Sequence, residues 1–291
     1  MSTPLIILIS VILILIINFI TSRYFYDKSK LFFKKSNQKL KNDLTVFLGK
    51  IERQLVSPFK EFKSSDSNKS WTIVFTYNRK TSLLQTLEDI TRYEPETKIM
   101  VIDNGSSDGT RSTLTEFLSN GKIHRILLNE KESVPQWQKC FNIQQALRLL
   151  SIEEVSYITW IDDDIQIKAP WINMSTLILK EQPYKNIKVV NLLTDDIQEK
   201  AHPTLETINF QNTQIKIKSS MNGAFVFVPV SFFEEFGLPP IREGINDASV
   251  EDWYYSRLLQ ASEYKVAAID NSTHAHYNDS SRGRAQTQTK A

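Results

Sequence analysis

Short runs of β-branched and aromatic residues alternate with segments of helical periodicity from Trp71 onward, and this alternation constrains the fold most strongly. WTIVFTY (71–77), KIMVIDN (98–104) and YITWI (157–161) predict strands, because such residues pack well on a pleated sheet. Strands that alternate with helices form a mostly parallel, doubly wound sheet covered on both faces. The later segments IKVVNLL and TINFQNTQIKIK predict a smaller antiparallel part. The sequence therefore predicts an α/β domain over residues 71–278, followed by a polar, disordered tail at 279–291.

Three acids stand side by side after the YITWI run: Asp162, Asp163 and Asp164. Adjacent ionised carboxylates repel one another, so this arrangement predicts a compensating positive charge. Ligands of open α/β sheets bind beyond the carboxyl ends of the strands, and on an extended backbone Asp162 and Asp164 would share a face. A Mg²⁺ or Mn²⁺ ion that also takes phosphate oxygens suits such a pair. The alternative is a solvated turn in which one Asp caps a helix that begins near Pro170.

Other polar side chains are predicted to reach the same edge of the sheet. Thr76, Tyr77, Asn78 and Arg79 end the first strand, and Asp103 ends the second, just before the turn GSSDGT. The carboxyl ends of parallel strands meet at one edge, so these groups are expected to lie close to the acidic triplet. Their convergence predicts a binding site.

The segment from Leu5 to Ile20 is apolar at all but two positions and, with its neighbours, is long enough to cross a membrane as a helix. Residues 1–22 are therefore predicted to be a transmembrane anchor. A cluster of Lys and Arg follows, which by the positive-inside rule places the later residues in the cytoplasm. Residues 23–70 predict a basic amphipathic helix, lying on the membrane surface or on the following domain, and a polar linker.

Composition narrows the function classes. The formal net charge of +2 is close to neutral, which argues against a nucleic-acid partner. The single cysteine, Cys140, can form no intrachain disulfide, and its helical surroundings favour a small buried apolar residue.

The motifs TYNR, VIDNGSSDGT, DDD and SVEDWYYSRLL occur in an order and spacing that resemble the inverting nucleotide-sugar glycosyltransferases of family 2. The resemblance covers about residues 71–278 and implies the GT-A fold. It also implies transfer of a sugar from a nucleotide diphosphate, with UDP-sugars favoured, to an acceptor hydroxyl with the help of Mn²⁺ or Mg²⁺. The sequence contains no Q-x-x-R-W motif, which the family's processive synthases carry, so one sugar is expected to be added per encounter.

The resemblance assigns donor and metal roles to residues at the strand ends. The nucleotide sugar would be bound by Thr76, Tyr77, Asn78, Arg79, Asp103, Lys139, Asp162 and Asp163. The metal would be held by Asp164 and Asp162 with His276 or His274, two histidines whose alternative role is a polar strand end. The segment QKCFNIQQA around Lys139 lacks the glycine that the family usually has there, which weakens that part of the donor assignment.

The pair Glu251-Asp252 would supply the catalytic carboxylate. An inverting transfer needs one base to take the proton of the acceptor hydroxyl, and the resemblance implies Asp252, with Glu251 supporting it or touching the acceptor. Ser249 to Asp252 also fits a capping box at a helix start, an interpretation that is equally good from the residues alone. Asn222-Gly223 would either shape the acceptor side or form a plain turn.

The predicted anchor favours a lipid-linked or cell-envelope glycan as the acceptor. Two alternative functions share the fold class. A sugar-1-phosphate nucleotidyltransferase would resemble its relatives in a glycine-rich loop after the first strand, and TYNRKTS contains no glycine. A catalytically inactive nucleotide-binding membrane scaffold is the other, and the presence of all the predicted acids argues against it.

Overall fold

The computed structural model describes residues 69–129, 138–150, 155–192, 200, 202–239, 250–269 and 275–276. The strands are β1 Ser70–Thr76, β2 Lys98–Asp103, β3 Arg125–Leu128, β4 Tyr157–Asp162, β5 Ile165–Gln166, β6 Ile187–Asn191, β7 Thr204–Phe210, β8 Thr213–Lys218, β9 Phe225–Pro229, β10 Lys265–Ile269 and β11 Ala275–His276. The helices are α1 Lys80–Tyr93, α2 Thr110–Ser119, α3 Gln138–Leu150, α4 Ile172–Glu181, α5 Ser231–Phe236 and α6 Val250–Ala261.

Nine of these strands form one mixed sheet in the order β3-β2-β1-β4-β9-β6-β10-β8-β7. Pairing is parallel from β3 to β4, whereas β9 runs antiparallel to both of its neighbours, β4 and β6. Strand β10 returns to the parallel direction beside β6, and β8 and β7 close the sheet as an antiparallel hairpin. The first half of the order is the predicted parallel part, and the second half, which is mixed, contains the predicted antiparallel part.

Helices cover both faces of the sheet, because the central strands are apolar on both sides. In β4, Ile158 and Trp160 belong to the core cluster under α3, α5 and α6. Tyr157 and Ile161 point the other way, into the cluster under α1, α2 and α4. Cys140 is buried and unpaired as predicted.

Two local features add detail to the sequence predictions. The segment TINFQNTQIKIK, which is predicted to be antiparallel, folds as the β7–β8 hairpin, with Gln211 and Asn212 at φ values of 50° and 61°. A turn with positive φ at both central residues has the twist that suits a two-residue hairpin loop. The other feature is β5, which directly follows the acidic triplet and pairs antiparallel with β11.

Several predictions fall outside the described residues. They are the anchor at 1–22, almost all of the 23–70 segment, the tail at 279–291, Ser249 and His274. Within the residues that the structure describes, no helix has the length and apolar character needed to cross a membrane.

Candidate active site

The carboxyl ends of β1, β2 and β4 meet at one edge of the sheet. Thr76 lies in register with Asp103, and Phe75 lies in register with Asp162. The backbone N–H of Asp162 donates to the carbonyl of Ala224 at 2.9 Å, which brings the segment before β9 to the same edge. The convergence predicted from the strand ends is thus present in the fold.

Arg79 neutralises two acids of the triplet. Its Nη1 lies 2.7 Å from Oδ2 of Asp164 and 3.3 Å from Oδ1 of Asp163, and the hydroxyl of Thr76 donates to Oδ2 of Asp163 at 2.7 Å. Asp163 and Asp164 are only 4% and 5% exposed, so the alternative of a solvated turn is wrong. Strand β4 ends at Asp162 and the backbone turns at Asp163 and Asp164, so the triplet is not a continuous extended segment.

Burial has the largest effect on the pKa of Asp163. It raises the pKa of Asp163 to about 7, although the guanidinium of Arg79 and the Thr76 hydroxyl favour the charged form. Burial alone would lower the pKa of Arg79, but attraction by the three acids outweighs it and raises that pKa.

Lys139 neutralises the remaining acid and connects it to α6. Its Nζ lies 2.6 Å from Oδ1 of Asp162, 2.7 Å from the carbonyl oxygen of Gly223 and 3.3 Å from Oε1 of Glu251. An ammonium group has three N–H donors, so each of its donors is matched by one of these oxygens. The carboxylates outweigh the effect of burial and raise the pKa of Lys139.

The first turn of α6 carries the Glu251-Asp252 pair, and the two side chains differ in exposure. Glu251 is 2% exposed, and burial raises its pKa against the opposing effect of Lys139. Asp252 is half-buried. Of the two acids, Asp252 is therefore the one with access from solvent.

Asp103 is fully buried at the end of β2. Its carboxylate accepts hydrogen bonds from the backbone N–H groups of Gly105 and Ser106, and Nε of Arg111 lies 2.7 Å from its Oδ2. Arg111 also donates to the carbonyl of Asn129, which follows β3. Asp103 thus shapes the turn after β2.

Asn78 ties the loop after β1 to that same turn. It has a φ of 51°, its N–H donates to Oγ of Ser106 at 2.8 Å, and its Oδ1 accepts from the N–H of Ser107 at 2.7 Å. Its neighbour Tyr77 is 46% exposed. The exposed phenol ring of Tyr77 is accessible to a planar ligand.

The sequence model described as glycosyl transferase family 2 matches residues 71–232, more than half of the chain. This chain belongs to glycosyl transferase family 2. The match confirms the family inferred from the motifs and makes the chain a glycosyltransferase. It also separates the chain from the nucleotidyltransferase alternative. A comparison with curated protein sequences found no match.

One solved structure aligns with this family 2 enzyme at a TM-score of 0.50, which supports the fold. TarS 1–349 from S. aureus aligns with a TM-score of 0.50 at 14% identity, covering 75% of this chain and 62% of that one. A second S. aureus TarS structure is covered to 38% of its length. The mannosyltransferase PcManGT from Pyrobaculum calidifontis, in complex with GDP-Man and Mn²⁺, aligns with a TM-score of 0.47 at 14% identity, covering 80% and 67% of the two chains. The chain thus spans less than two thirds of either TarS structure, and the shared feature is a GT-A-like α/β fold.

The structure places most of the predicted site residues of this glycosyltransferase at one edge. Thr76, Arg79, Lys139, the acidic triplet, Glu251 and Asp252 lie around the ends of β1 and β4, and Asp103 lies one strand away. The backbone of His276 lies opposite Ile165, the residue after the triplet. Their ligand roles remain predictions.

Sequence reasoning missed three side chains that support the site. Arg111 pairs with Asp103, Thr86 donates to the carbonyls of Asp163 and Ile165, and Ser256 accepts from the N–H of Met221. For Arg111 a signal existed, since a buried carboxylate requires a cationic partner. Thr86 and Ser256 lie in ordinary helical segments that carry no such signal.

Proposed function

We propose that this family 2 enzyme transfers a sugar, with inversion, from a UDP-sugar to an acceptor hydroxyl of a lipid-linked or cell-envelope glycan, with the help of a divalent cation. One observation carries the proposal. Lys139 connects Asp162 of the acidic triplet at the end of β4 to Glu251, the neighbour of the half-buried Asp252 in the first turn of α6. That arrangement separates carboxylates that could hold the cation of a donor diphosphate from a carboxylate that could accept a proton.

The donor set suits a cation that shares its ligands with the substrate. Asp162 and Asp164 would hold Mn²⁺ or Mg²⁺, whose charge would stabilise the departing diphosphate. Within the described part of the chain, no group of three or more His, Cys, Asp and Glu could hold a metal ion alone. Mg²⁺ needs only one or two carboxylates when phosphate oxygens and water complete its shell, and the Asp162 side chain is 35% exposed. His276, opposite Ile165, would add a ligand from β11.

Arg79 is the side chain best placed to bind the donor diphosphate directly. Its contacts to the triplet use only Nη1. A guanidinium has five N–H donors in a fixed fork, and such forks bind phosphate well. The side chain is 22% exposed, so the remaining donors can meet a ligand.

Asp252 would be the base of the transfer. The acceptor oxygen attacks the anomeric carbon in line with the departing diphosphate and gives its proton to the Asp252 carboxylate. The new bond joins that oxygen to the anomeric carbon, and the bond that breaks joins the anomeric carbon to the diphosphate oxygen. The carboxylate needs no covalent intermediate, since inversion takes place in one displacement.

The proposal is tested with the full chain by binding and turnover. UDP, GDP and their sugars are titrated with Mn²⁺ or with EDTA, and release of free nucleotide is measured for the wild type, Asp164→Ala and Asp252→Asn. We expect one nucleotide to bind in a metal-dependent way, Asp164→Ala to lose that binding, and Asp252→Asn to keep it without turnover. A folded wild type that binds no nucleotide contradicts the proposal, and binding without nucleotide release or transfer supports the inactive scaffold.

Location is a second part of the proposal. We propose that residues 1–22 anchor the enzyme with its catalytic domain in the cytoplasm, which follows from the apolar run and the cluster of Lys and Arg after it. Deleting residues 1–22 is expected to move the enzyme from the membrane fraction to the soluble fraction. A deletion variant that stays in the membrane fraction would contradict the anchor.

A further inference from the structure

Lys139, Asp162, Gly223 and Glu251 form a connected group, here called the Lys139 tie. It joins three separate parts of the chain to the end of β4: helix α3, the segment before β9 and the first turn of α6. The three oxygens around Nζ leave none of its three N–H donors for another ligand. Lys139 therefore acts in this arrangement on protein groups, in contrast to Arg79.

Gly223 allows the Glu251 carboxylate to reach this position. A Cβ atom at Gly223 would lie 2.3 Å from Oε1 and 3.3 Å from Cδ of Glu251, and 3.4 Å from Cβ of Asp252. Real Cβ atoms do not approach an oxygen to 2.3 Å, so glycine is the residue that fits.

The segment that carries Gly223 is itself held from two sides. The N–H of Met221 donates to Oγ of Ser256 at 2.9 Å, and the N–H of Asn222 donates to Oδ1 of Asn191 at 3.1 Å. The backbone that leads to Gly223 is therefore held against α6 and β6, and it cannot move away from Glu251 without breaking these bonds.

We propose that Glu251 is a positioning residue that acts through Lys139, holding its ammonium group against Asp162 and so fixing that carboxylate relative to Asp252. This inference rests on the proposed function, because it assigns Asp162 to the donor and Asp252 to the acceptor proton. Transfer requires the two substrates to be aligned, and a displacement of about 1 Å in such a site reduces the rate about 100-fold.

Stability alone does not account for the group. Oε2 of Glu251 is buried and finds no hydrogen-bond partner among the residues that the structure describes. An unpaired buried polar atom destabilises the fold, and a buried ion pair can often be replaced by apolar groups without loss of stability. The Glu251 carboxylate is therefore better explained by its effect on the position of Lys139 than by a contribution to stability.

Glu251 is also poorly placed to be the base itself. Its Oε1 faces Lys139 and Gly223, and its Oε2 has no solvent access. An acceptor hydroxyl would have to displace protein groups to reach either oxygen. Asp252, on the same turn, is half-buried.

The first test uses the full chain with Glu251→Gln, and Glu235→Gln as the matched control. Glu235 pairs with Lys188 at 2.9 Å away from the site, so its variant removes a carboxylate from an ordinary ion pair. For Glu251→Gln we expect kcat to fall about 100-fold, with KM for the donor and the melting temperature close to those of the wild type. The control is expected to leave all three unchanged.

The second test asks whether Gly223 and Glu251 act together. Gly223→Ala should reduce kcat strongly, because the new methyl group displaces the carboxylate. Combining it with Glu251→Asp shortens the acid by one methylene and should recover at least about 10-fold of that loss, which is the sign of a coupled pair. Circular dichroism and melting curves show whether each variant is folded.

Several results would overturn the inference. The first is a Glu251→Gln enzyme with wild-type kcat, and the second is a Glu251→Gln enzyme whose melting temperature falls together with its kcat. The third is a double variant of Gly223→Ala and Glu251→Asp whose loss of kcat equals the product of the two single losses. A Glu251→Gln enzyme that loses the acidic limb of the pH–rate profile while Asp252→Asn keeps it would make Glu251 the base. A wild type with no transfer activity would overturn the proposed function and this inference with it.

Discussion

Two basic side chains neutralise one acidic triplet, and they do so in different ways. The proposed donor half of the site (Thr76, Arg79, Asp163 and Asp164) has a cation that uses one nitrogen for two carboxylates, whereas in the Lys139 tie every donor is matched. The two cations are similarly buried, at 22% and 17% exposure. Arg79 and Lys139 therefore differ in the number of N–H donors that remain unused, and not in burial. A cation with spare donors can bind a substrate, and a saturated one can only hold the protein together.

The largest expected effect tests the separation of donor and acceptor functions. Asp252→Asn removes the base and should reduce kcat by about 10² to 10⁴-fold, the usual contribution of general base catalysis. UDP affinity should change by less than about 3-fold, because no donor contact is assigned to this side chain. Steady-state kinetics and calorimetric titration with UDP check the two parts.

An opposite result would break the comparison. If Asp252→Asn weakened UDP binding as much as it reduced turnover, the residue would belong to the donor side. Asp164→Ala is the matched variant, since it is expected to lose UDP binding first.

Arg111 is a third cation near the site, and it pairs with the buried Asp103 at the end of β2. Arg111→Ala leaves the fully buried carboxylate of Asp103 without its cation and should lower the free energy of unfolding by about 2 kcal/mol. The value is reduced from that of a fully buried pair because the Arg111 side chain is 37% exposed and Asp103 keeps its backbone hydrogen bonds. Urea unfolding measures the change.

Arg92 offers the control for that measurement. It pairs with Asp89 at 4.0 Å and is 67% exposed, so Arg92→Ala should change stability by less than about 0.5 kcal/mol. Equal losses in the two variants would mean that burial of Asp103 does not set the cost.

The donor half could largely be predicted from the sequence, for two physical reasons. Its residues lie in short contiguous motifs, and the carboxyl ends of parallel strands must meet at one edge. Thr76 therefore lies beside the triplet as expected, and the predicted compensating charge is supplied by Arg79 and Lys139.

The Lys139 tie could not be predicted in the same way. Lys139, Gly223 and Glu251 come from three elements that are distant in sequence, and no periodicity fixes which strand β9 joins. The antiparallel insertion of β9 between β4 and β6 is what brings Gly223 to Asp162. The sequence named each residue or its neighbourhood, but it contained no sign of their contact.

The two cations can be compared directly by their effect on donor affinity. Arg79→Met should weaken UDP binding about 10-fold, which corresponds to about 1.4 kcal/mol, because it removes the spare guanidinium donors. Lys139→Met should change UDP affinity by less than about 3-fold while reducing kcat. The measurement is UDP titration at fixed metal concentration, with melting curves to confirm folding. The reverse order of the two affinities would show that Lys139 leaves its protein partners to bind the diphosphate.

The last prediction concerns pH and the buried acid Asp163. Burial raises the pKa of Asp163 to about 7 in the folded chain, from an ordinary value of 3.8. Between these values only the folded state keeps the proton, so the stability that the protonated carboxyl contributes is complete below about pH 4 and is lost as pH rises through 7. Asp163→Asn carries no titrating proton and lacks this dependence. The melting temperature of the wild type minus that of Asp163→Asn should therefore fall between about pH 5 and pH 8, and a difference that rises instead would mean that Arg79 outweighs burial at this carboxylate.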